Sequence, residues 1–395
     1  MNRSRALFLV LSLALLAPLV TGVVWSAADR RDDDESADSF YKHLAIFSEV
    51  LGLVRNNYVD PADLDKLLAG AMDGSTDALD AFSIYLPPAG VERYARATAL
   101  GTSRTGLTAV RDRGLAFVVA VEEGGPGAAA GFESGDILAK IGGVSTRDMP
   151  AWELETLLAG EGAEKLECEV IRRGDPKTLT LAPAPFTPPA PRIDEVSGLP
   201  MLRIARFDAG SAAAVRPLLA DLAARGAGKL LVDLRELAGG SSAAAFEVAA
   251  LFAQGELGRL EERGQEKREF ESAAAPVWTG QIAVLVDGGT LGAAEVLAVV
   301  LRERAGAKLI GVKTFGWAGE RTLLELAGGG RLHLTTAFYA GPDGKPLSAG
   351  LAPDLLVDEL TRSFGERDKP LRELILDRGV RYLTGESEPA AAQAA

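Results

Sequence analysis

Cysteine is nearly absent from this chain of 395 residues, and histidine is almost as scarce. The single cysteine, Cys168, excludes an intramolecular disulfide and a zinc-thiolate cluster. It alternates with acids in Leu166-Glu167-Cys168-Glu169-Val170, the pattern of a small apolar side chain on the inner face of a strand. The two histidines are His43, in a helical stretch, and His333, which alternates with Leu332 and Leu334 on the more exposed side of a strand. Neither has an evident partner, so both read as surface histidines, and a Ser-His-Asp triad or a metal site has only weak support. G-x-S-x-G and H-E-x-x-H are missing, and the Gly228-Lys229 pair is followed by Leu230 where a phosphate loop needs Ser or Thr. No cofactor and no metal are implied. A basic stripe is lacking as well: the formal net charge is −13, and such an acidic surface repels phosphate backbones, which argues against nucleic acid as a partner.

What is present begins with the N-terminus. Arg3 and Arg5 precede an uncharged, largely apolar stretch from Ala6 to Ala28 that ends in Ser26-Ala27-Ala28. A basic start, an apolar run and small residues at the end make an export signal. The stretch also reaches the roughly 20 residues a bilayer span needs, with Pro18 in its middle. The expectation is an exported protein of the periplasm or cell envelope, either cleaved near Ala28 or tethered to the inner membrane by residues 6–28. The charged run Asp29–Glu35 then reads as part of a solvated acidic linker over 29–38.

Periodicity divides the rest. Helix-spaced apolar residues (Leu44, Phe47, Val50, Leu51, Val54, then Leu64, Leu67, Leu68) mark an N-terminal helical segment over 39–100. Asp60-Pro61 is expected to start its second helix and Pro87-Pro88 to close the helical region. Residues 101–182 alternate in short strands between Gly-rich turns, with one helix near Ala151–Leu158: a small β-rich module. Five prolines between Pro183 and Pro191 mark a linker over 183–192. Over 193–360, apolar strands (Leu230–Leu234, Ile282–Val286, Leu309–Val312) alternate with helices (Ala243–Phe252, Ala293–Leu301). A hairpin over Leu323–Phe338 turns at Gly328-Gly329-Gly330. This is an α/β core in an α+β multidomain chain. Residues 361–395 are expected to hold a C-terminal helix and a disordered Ala-rich tail.

Four blocks, in order over roughly residues 40–360, resemble the tail-specific, C-terminal processing proteases of peptidase family S41. Gly70-Ala71-Met72 through Leu79-Asp80-Ala81-Phe82-Ser83-Ile84-Tyr85-Leu86 is similar to a "G-A-x…L-D-P-H-S-x-Y-L" stretch, with Ala81-Phe82 in place of Pro-His. Gly125-Pro126-Gly127-Ala128 through Gly135-Asp136-Ile137-Leu138 looks like the matching block of a bacterial PDZ domain, whose glycines make turns. Leu230-Leu231-Val232-Asp233-Leu234-Arg235 through Gly239-Gly240 resembles "L-V-L-D-L-R-N-N-P-G-G". Thr335-Thr336-Ala337-Phe338-Tyr339 through Pro353-Asp354 resembles the family's closing block. The resemblance implies an N-terminal helical segment, a PDZ β-sandwich-like module and an S41 protease core of the ClpP/crotonase-like type. It also implies that Gly106, Leu107, Thr108 and Ala109 occupy the loop that cradles a peptide's terminal carboxylate, so that protein or peptide C-termini are the expected partners. Thr108 stands there for a usual glycine. Gly239, Gly240 and Ala293 fall on the oxyanion-stabilising positions.

At the catalytic positions the resemblance fails. Thr290-Leu291-Gly292-Ala293-Ala294-Glu295 aligns on "S-A-S-A-S-E", and Gly292 stands where the family keeps its nucleophilic serine. Trp317 stands at the lysine position, 25 residues on, and Arg321 at the glutamine position, four further. A Ser-Lys dyad needs a hydroxyl to attack and a neutral amine to take its proton. Glycine has no side chain, an indole N–H only donates, and a guanidinium stays protonated. Thr290 is the candidate substitute nucleophile. Two readings follow: a pseudoprotease that binds protein C-termini as scaffold or adaptor, or an active serine-type endopeptidase with a relocated nucleophile that cuts near substrate C-termini. A third, a purely structural envelope protein, differs from the first only in binding no peptide. The sequence is silent on oligomeric state.

Overall fold

The computed structural model describes residues 41–100, 104–112, 114–147, 149–162, 164–357 and 369–386. The leader expected at 1–28, the acidic linker at 29–38 and nearly all of the Ala-rich tail lie outside them. Among the described residues, no helix is long and apolar enough to cross a membrane. The described residues fall into two compact units that divide between Ala71 and Met72.

In the first unit residues 41–57 form helix α1, and α2 (Leu64–Asp77) begins. Phe47, Leu51 and Val54 are half-buried on α1 at helical spacing. Helix α2 does not start at Pro61. Asp63 Oδ1 accepts the Lys66 N–H at 3.1 Å, so this carboxylate caps the helix and sets its first turn three residues later than the proline suggests.

The second unit opens with β1 (Ile84–Leu86) and α3 (Pro88–Ala99). Pro87-Pro88 does not close the helical region; it opens α3, with Pro88 at a first-turn position where its missing N–H has no partner to lose. A sheet follows, built from β2 (Leu107–Asp112), β3 (Leu115–Val121), β4 (Ile137–Ile141), β5 (Val144–Ser145), β6 (Leu166–Arg172) and β7 (Asp175–Leu181). Its order is β2-β3-β4-β6-β7 with β5 on β4, which leaves β2 at an edge. A short helix α4 (Pro126–Ala129) and α5 (Ala151–Leu158) accompany it. Cys168 is buried between exposed Glu167 and Glu169, as its alternation requires. The Arg172 guanidinium makes two 2.7 Å bonds to Asp136 and one to the Gly131 carbonyl, which fixes the Gly-rich turn.

Residues 182–191 have no regular structure. The core then runs β8 (Arg192–Val196), β9 (Leu199–Arg203), α6 (Ser211–Ala224), β10 (Lys229–Asp233), α7 (Ser242–Ala249), β11 (Gly255–Glu262), β12 (Arg268–Ser272), β13 (Gln281–Val286) and α8 (Ala293–Ala305). It finishes with β14 (Lys308–Gly311), β15 (Gly319–Glu325), β16 (Arg331–Ala340), β17 (Leu355–Leu356) and α9 (Leu371–Thr384). One sheet has the order β17-β14-β13-β10-β9-β8, parallel except for β8. Its apolar runs are buried on both faces. Leu230, Val232, Ile282 and Val284 pack with α6, α7 and α8, while Leu231, Ala283 and Leu285 pack with α9. A second, antiparallel sheet has the order β1-β16-β11-β12, with β15 paired to β16.

Candidate active site

Parallel strands β10, β13 and β14 end side by side, and the turns leaving their carboxyl ends converge. The turn after β13 leads straight into α8. At its N-cap, Gly292 has φ +62° and ψ −113°, a backbone conformation that disfavours any side chain. Space is not the obstacle: a Cβ there would meet only the Trp317 carbonyl oxygen, at 3.7 Å. Ala293, the first residue of the helix, is buried.

Glu295, fully buried in the first turn of α8, organises two of these turns. Its Oε2 accepts the Gly292 N–H at 3.1 Å and the Trp317 N–H at 3.0 Å. Its Oε1 accepts the Gly316 N–H at 2.8 Å and the Thr314 hydroxyl at 2.5 Å. Burial nevertheless raises its pKa, and the four donors oppose that shift. The turn after β10 joins the same assembly through Leu291 N–H to Leu237 O (3.1 Å) and through Asp287. Asp287 Oδ1 accepts from both Glu236 N–H and Gly289 N–H at 2.9 Å, and burial pushes its carboxyl up to about 6.

Gly239 and Gly240 lie in that second turn. A Cβ on Gly240, whose φ is +116°, would stand 2.2 Å from Phe207 O, so only glycine fits. The close approach is held by Phe207 N–H to Gly239 O (3.2 Å) and Ser241 N–H to Phe207 O (2.9 Å); neither bond uses the Gly240 N–H. Thr290 is fully buried and its hydroxyl is engaged, donating to Leu234 O and accepting from Asp287 N–H, each at 2.9 Å.

Trp317 is half-buried. Its indole Nε1–H donates to Thr335 Oγ1 at 3.1 Å, and its ring lies on Phe82, with Phe315 edge-on to Phe82. Phe82, Leu291, Val110 of β2 and Val119 of β3 form one apolar cluster, so the β-rich module is packed directly over the turns. Gly289 permits this, because a Cβ there would stand 2.6 Å from Val119 O.

Arg321, on β15, reaches away from the turns. Its Nη1 donates to Phe82 O at 3.0 Å and to Glu155 Oε1, on α5, at 2.8 Å. Glu155 Oε2 accepts the Tyr94 hydroxyl at 2.8 Å, and that same hydroxyl lies 2.9 Å from His333 Nδ1. His333 is therefore not an unpartnered surface histidine. Tyr94 has one proton and gives it to Glu155, so Nδ1 must be the donor and Nε2 the acceptor. Burial lowers the His333 pKa to about 4, which keeps the ring neutral. Glu155 and Tyr94 escaped the sequence reading because they lie 166 and 239 residues from Arg321 and His333. Phe82 left a signal: it stands in a motif whose neighbours match.

Of the expected peptide-binding residues, Gly106 (φ +67°) makes the entry turn, Leu107 is buried in the core of its module, and Thr108 and Ala109 are half-buried on edge strand β2. Two cavities flank this segment. One, of about 200 Å³, runs from Gly106–Thr108 to Gly239 and Gly240. The other, of about 290 Å³, lies between Leu107–Ala109, α5, Arg321 and His333. The structure thus brings residues 106–109, the expected peptide-binding segment, beside the glycine turn on one side and beside Arg321 on the other.

A β-rich module laid over converging turns of an α/β core defines a PDZ-containing peptidase fold. Residues 199–357 match the model described as Peptidase family S41, and residues 117–172 match a PDZ domain. The chain thus carries a peptidase family S41 domain and a PDZ domain. It is 27% identical over 372 residues to a protein of Tetradesmus obliquus named "C-terminal processing peptidase, chloroplastic", covering 85% of this chain and 76% of that one. It is 26% identical over 331 residues to the carboxy-terminal-processing protease of Bartonella bacilliformis, covering 81% and 76%. The structure of the photosystem II D1 C-terminal processing protease shares the fold, with a TM-score of 0.62 at 24% identity, over 88% of this chain and 98% of that one.

Proposed function

We propose that this protein is a pseudoprotease: it keeps the frame of a C-terminal processing protease, lacks peptide hydrolysis, and binds protein C-termini through its PDZ groove as a scaffold or adaptor. One observation carries the reading. At the strand-to-helix turn where the family's nucleophile stands there is Gly292, with no hydroxyl, and the neighbouring turn presents the Trp317 indole, which cannot accept a proton. Arg321 at the glutamine position is likewise no base. Thr290 makes a poor substitute, because its hydroxyl is buried and bonded on both sides. The order of basic, apolar and small residues over 3–28 supports action outside the cytoplasm, in the periplasm or cell envelope.

The test compares the purified chain with a Gly292→Ser, Trp317→Lys, Arg321→Gln revertant on an unstructured polypeptide ending in an apolar residue. The expected result is no cleavage by the unmodified protein. Cleavage that Thr290→Ala abolishes would overturn the proposal and identify a relocated nucleophile. Activity in the revertant alone would place the defect in the three side chains.

A further inference from the structure

The 290 Å³ groove has a wall that a PDZ domain does not supply. On one side are edge strand β2 and the last turns of α5; on the other are Arg321 of β15, His333 of β16 and Tyr94 of α3. Among the described residues strand β2 pairs only with β3, so its other edge can accept an added strand. The last turn of α5 is tied to the segment before β2 by Arg104 N–H to Ala159 O (3.3 Å) and by the Thr105 hydroxyl to Leu158 O. This places the carboxylate loop at the C-terminal end of α5. Glu155, and Arg321 against it, lie one helical turn back, about 5 Å along the groove. At about 3.3 Å per residue of an added strand, that distance is one to two residues upstream of a bound C-terminal residue.

Both oxygens of Glu155 are occupied, one by Arg321 and one by Tyr94. Arg321, whose side chain is 22% exposed, spends Nη1 on Phe82 O and Glu155 Oε1 and also interacts with the Tyr94 hydroxyl, while it lines the groove. A guanidinium lining the groove matches a carboxylate, which can accept two of its N–H groups at once. The floor near Leu107, Leu158 and Ala159 is apolar.

We propose that the groove selects protein C-termini with an apolar last residue and an aspartate or glutamate at the second- or third-from-last position, and that Arg321 makes the selection. The side chain that replaced a catalytic glutamine thus serves as a specificity residue of the PDZ groove. This rests on the reading that the groove binds C-termini at all.

The test uses fluorescein-labelled decapeptides and fluorescence anisotropy with the full chain. One peptide ends in Ala-Ala-Ala-Val, two others carry a single Asp at the second- or third-from-last position, and an amidated copy of each removes the terminal carboxylate. The expected result is that one Asp peptide binds about tenfold more tightly than the neutral peptide, the scale of a single charge-assisted pair in a half-exposed groove. Arg321→Gln should abolish that preference, so that acidic and neutral peptides bind alike, while Arg321→Lys should retain part of it. If Arg321→Gln fails to fold, the partial loss in Arg321→Lys decides. Equal binding of neutral and acidic peptides, with the amides silent, would overturn the selectivity and leave C-terminal recognition standing. A preference that survives Arg321→Gln would overturn the role of Arg321. Failure of every peptide to bind beyond its amide would overturn C-terminal recognition itself.

Discussion

The indole of Trp317 lies on the phenyl ring of Phe82, with ring centroids 4.3 Å apart and planes inclined by 34°. The motif resemblance sets these two residues against an expected lysine and histidine, and in this chain the two rings are in contact. Phe82 is buried, and Arg321 donates to its carbonyl. The departures at residues 82, 317 and 321 are thus one packed arrangement rather than three separate losses.

Phe82→Ala should therefore destabilise the fold by about 3 kcal/mol, the usual scale for deleting a buried ring. A double-mutant cycle with Trp317→Ala should give a coupling of about 1 kcal/mol. Urea unfolding of the four proteins measures both. Additive losses would mean that the rings act independently.

Glu295 holds four donors, one from the Gly292 turn and three from the Thr314–Trp317 turn. Glu295→Gln keeps the shape but offers one acceptor oxygen and turns an NH2 group toward backbone N–H donors. A loss of about 2–4 kcal/mol is expected, the scale of two forfeited buried hydrogen bonds. Hydrogen exchange at Gly292, Gly316 and Trp317 should quicken together. Unchanged protection at these amides would show that the carboxylate does not hold the turns.

Restoring a side chain at residue 292 should strain the backbone rather than cause a clash. At φ +62° and ψ −113° with open space around the Cβ, Gly292→Ser and Gly292→Ala should each lower stability by about 1–3 kcal/mol and do so equally. Thermal denaturation compares the pair. A loss for both well above 4 kcal/mol would point to a steric conflict at the turn.

His333 gives a pH test with a definite sign. Its folded pKa, near 4, is below the ordinary 6.5, so between those values the unfolded chain binds more protons than the folded one. The stability this group contributes is present above pH 6.5 and is lost as pH falls toward 4. From pH 7 to pH 5 the wild-type chain should lose on the order of 1–2 kcal/mol more than His333→Gln. His43 is present in both proteins and cancels. Parallel urea-unfolding profiles at the two pH values would rule out the depressed pKa.

The sequence by itself determined the family and much of the core. Its apolar strands and the period-3.6 helices between them recur in the structure within a few residues, because burial on both faces leaves a continuous apolar run legible in one dimension. Cys168 and the glycine turns were legible for the same local reason. Helix α6, with Pro217 inside it, and the charged β11–β12 pair gave no such signal, since tertiary packing and cross-strand pairing sustain them. The absence of a hydroxyl at residue 292 and of a base at residue 317 was also plain in the chain. Only the tertiary structure decided what those replacements touch. It alone set Trp317 on Phe82, joined Arg321 to Glu155 of the PDZ helix, and paired half-buried His333 with Tyr94. The partners in these contacts lie from 166 to more than 200 residues apart, and sequence spacing carries no information about which side chains meet when separate sheets are packed together.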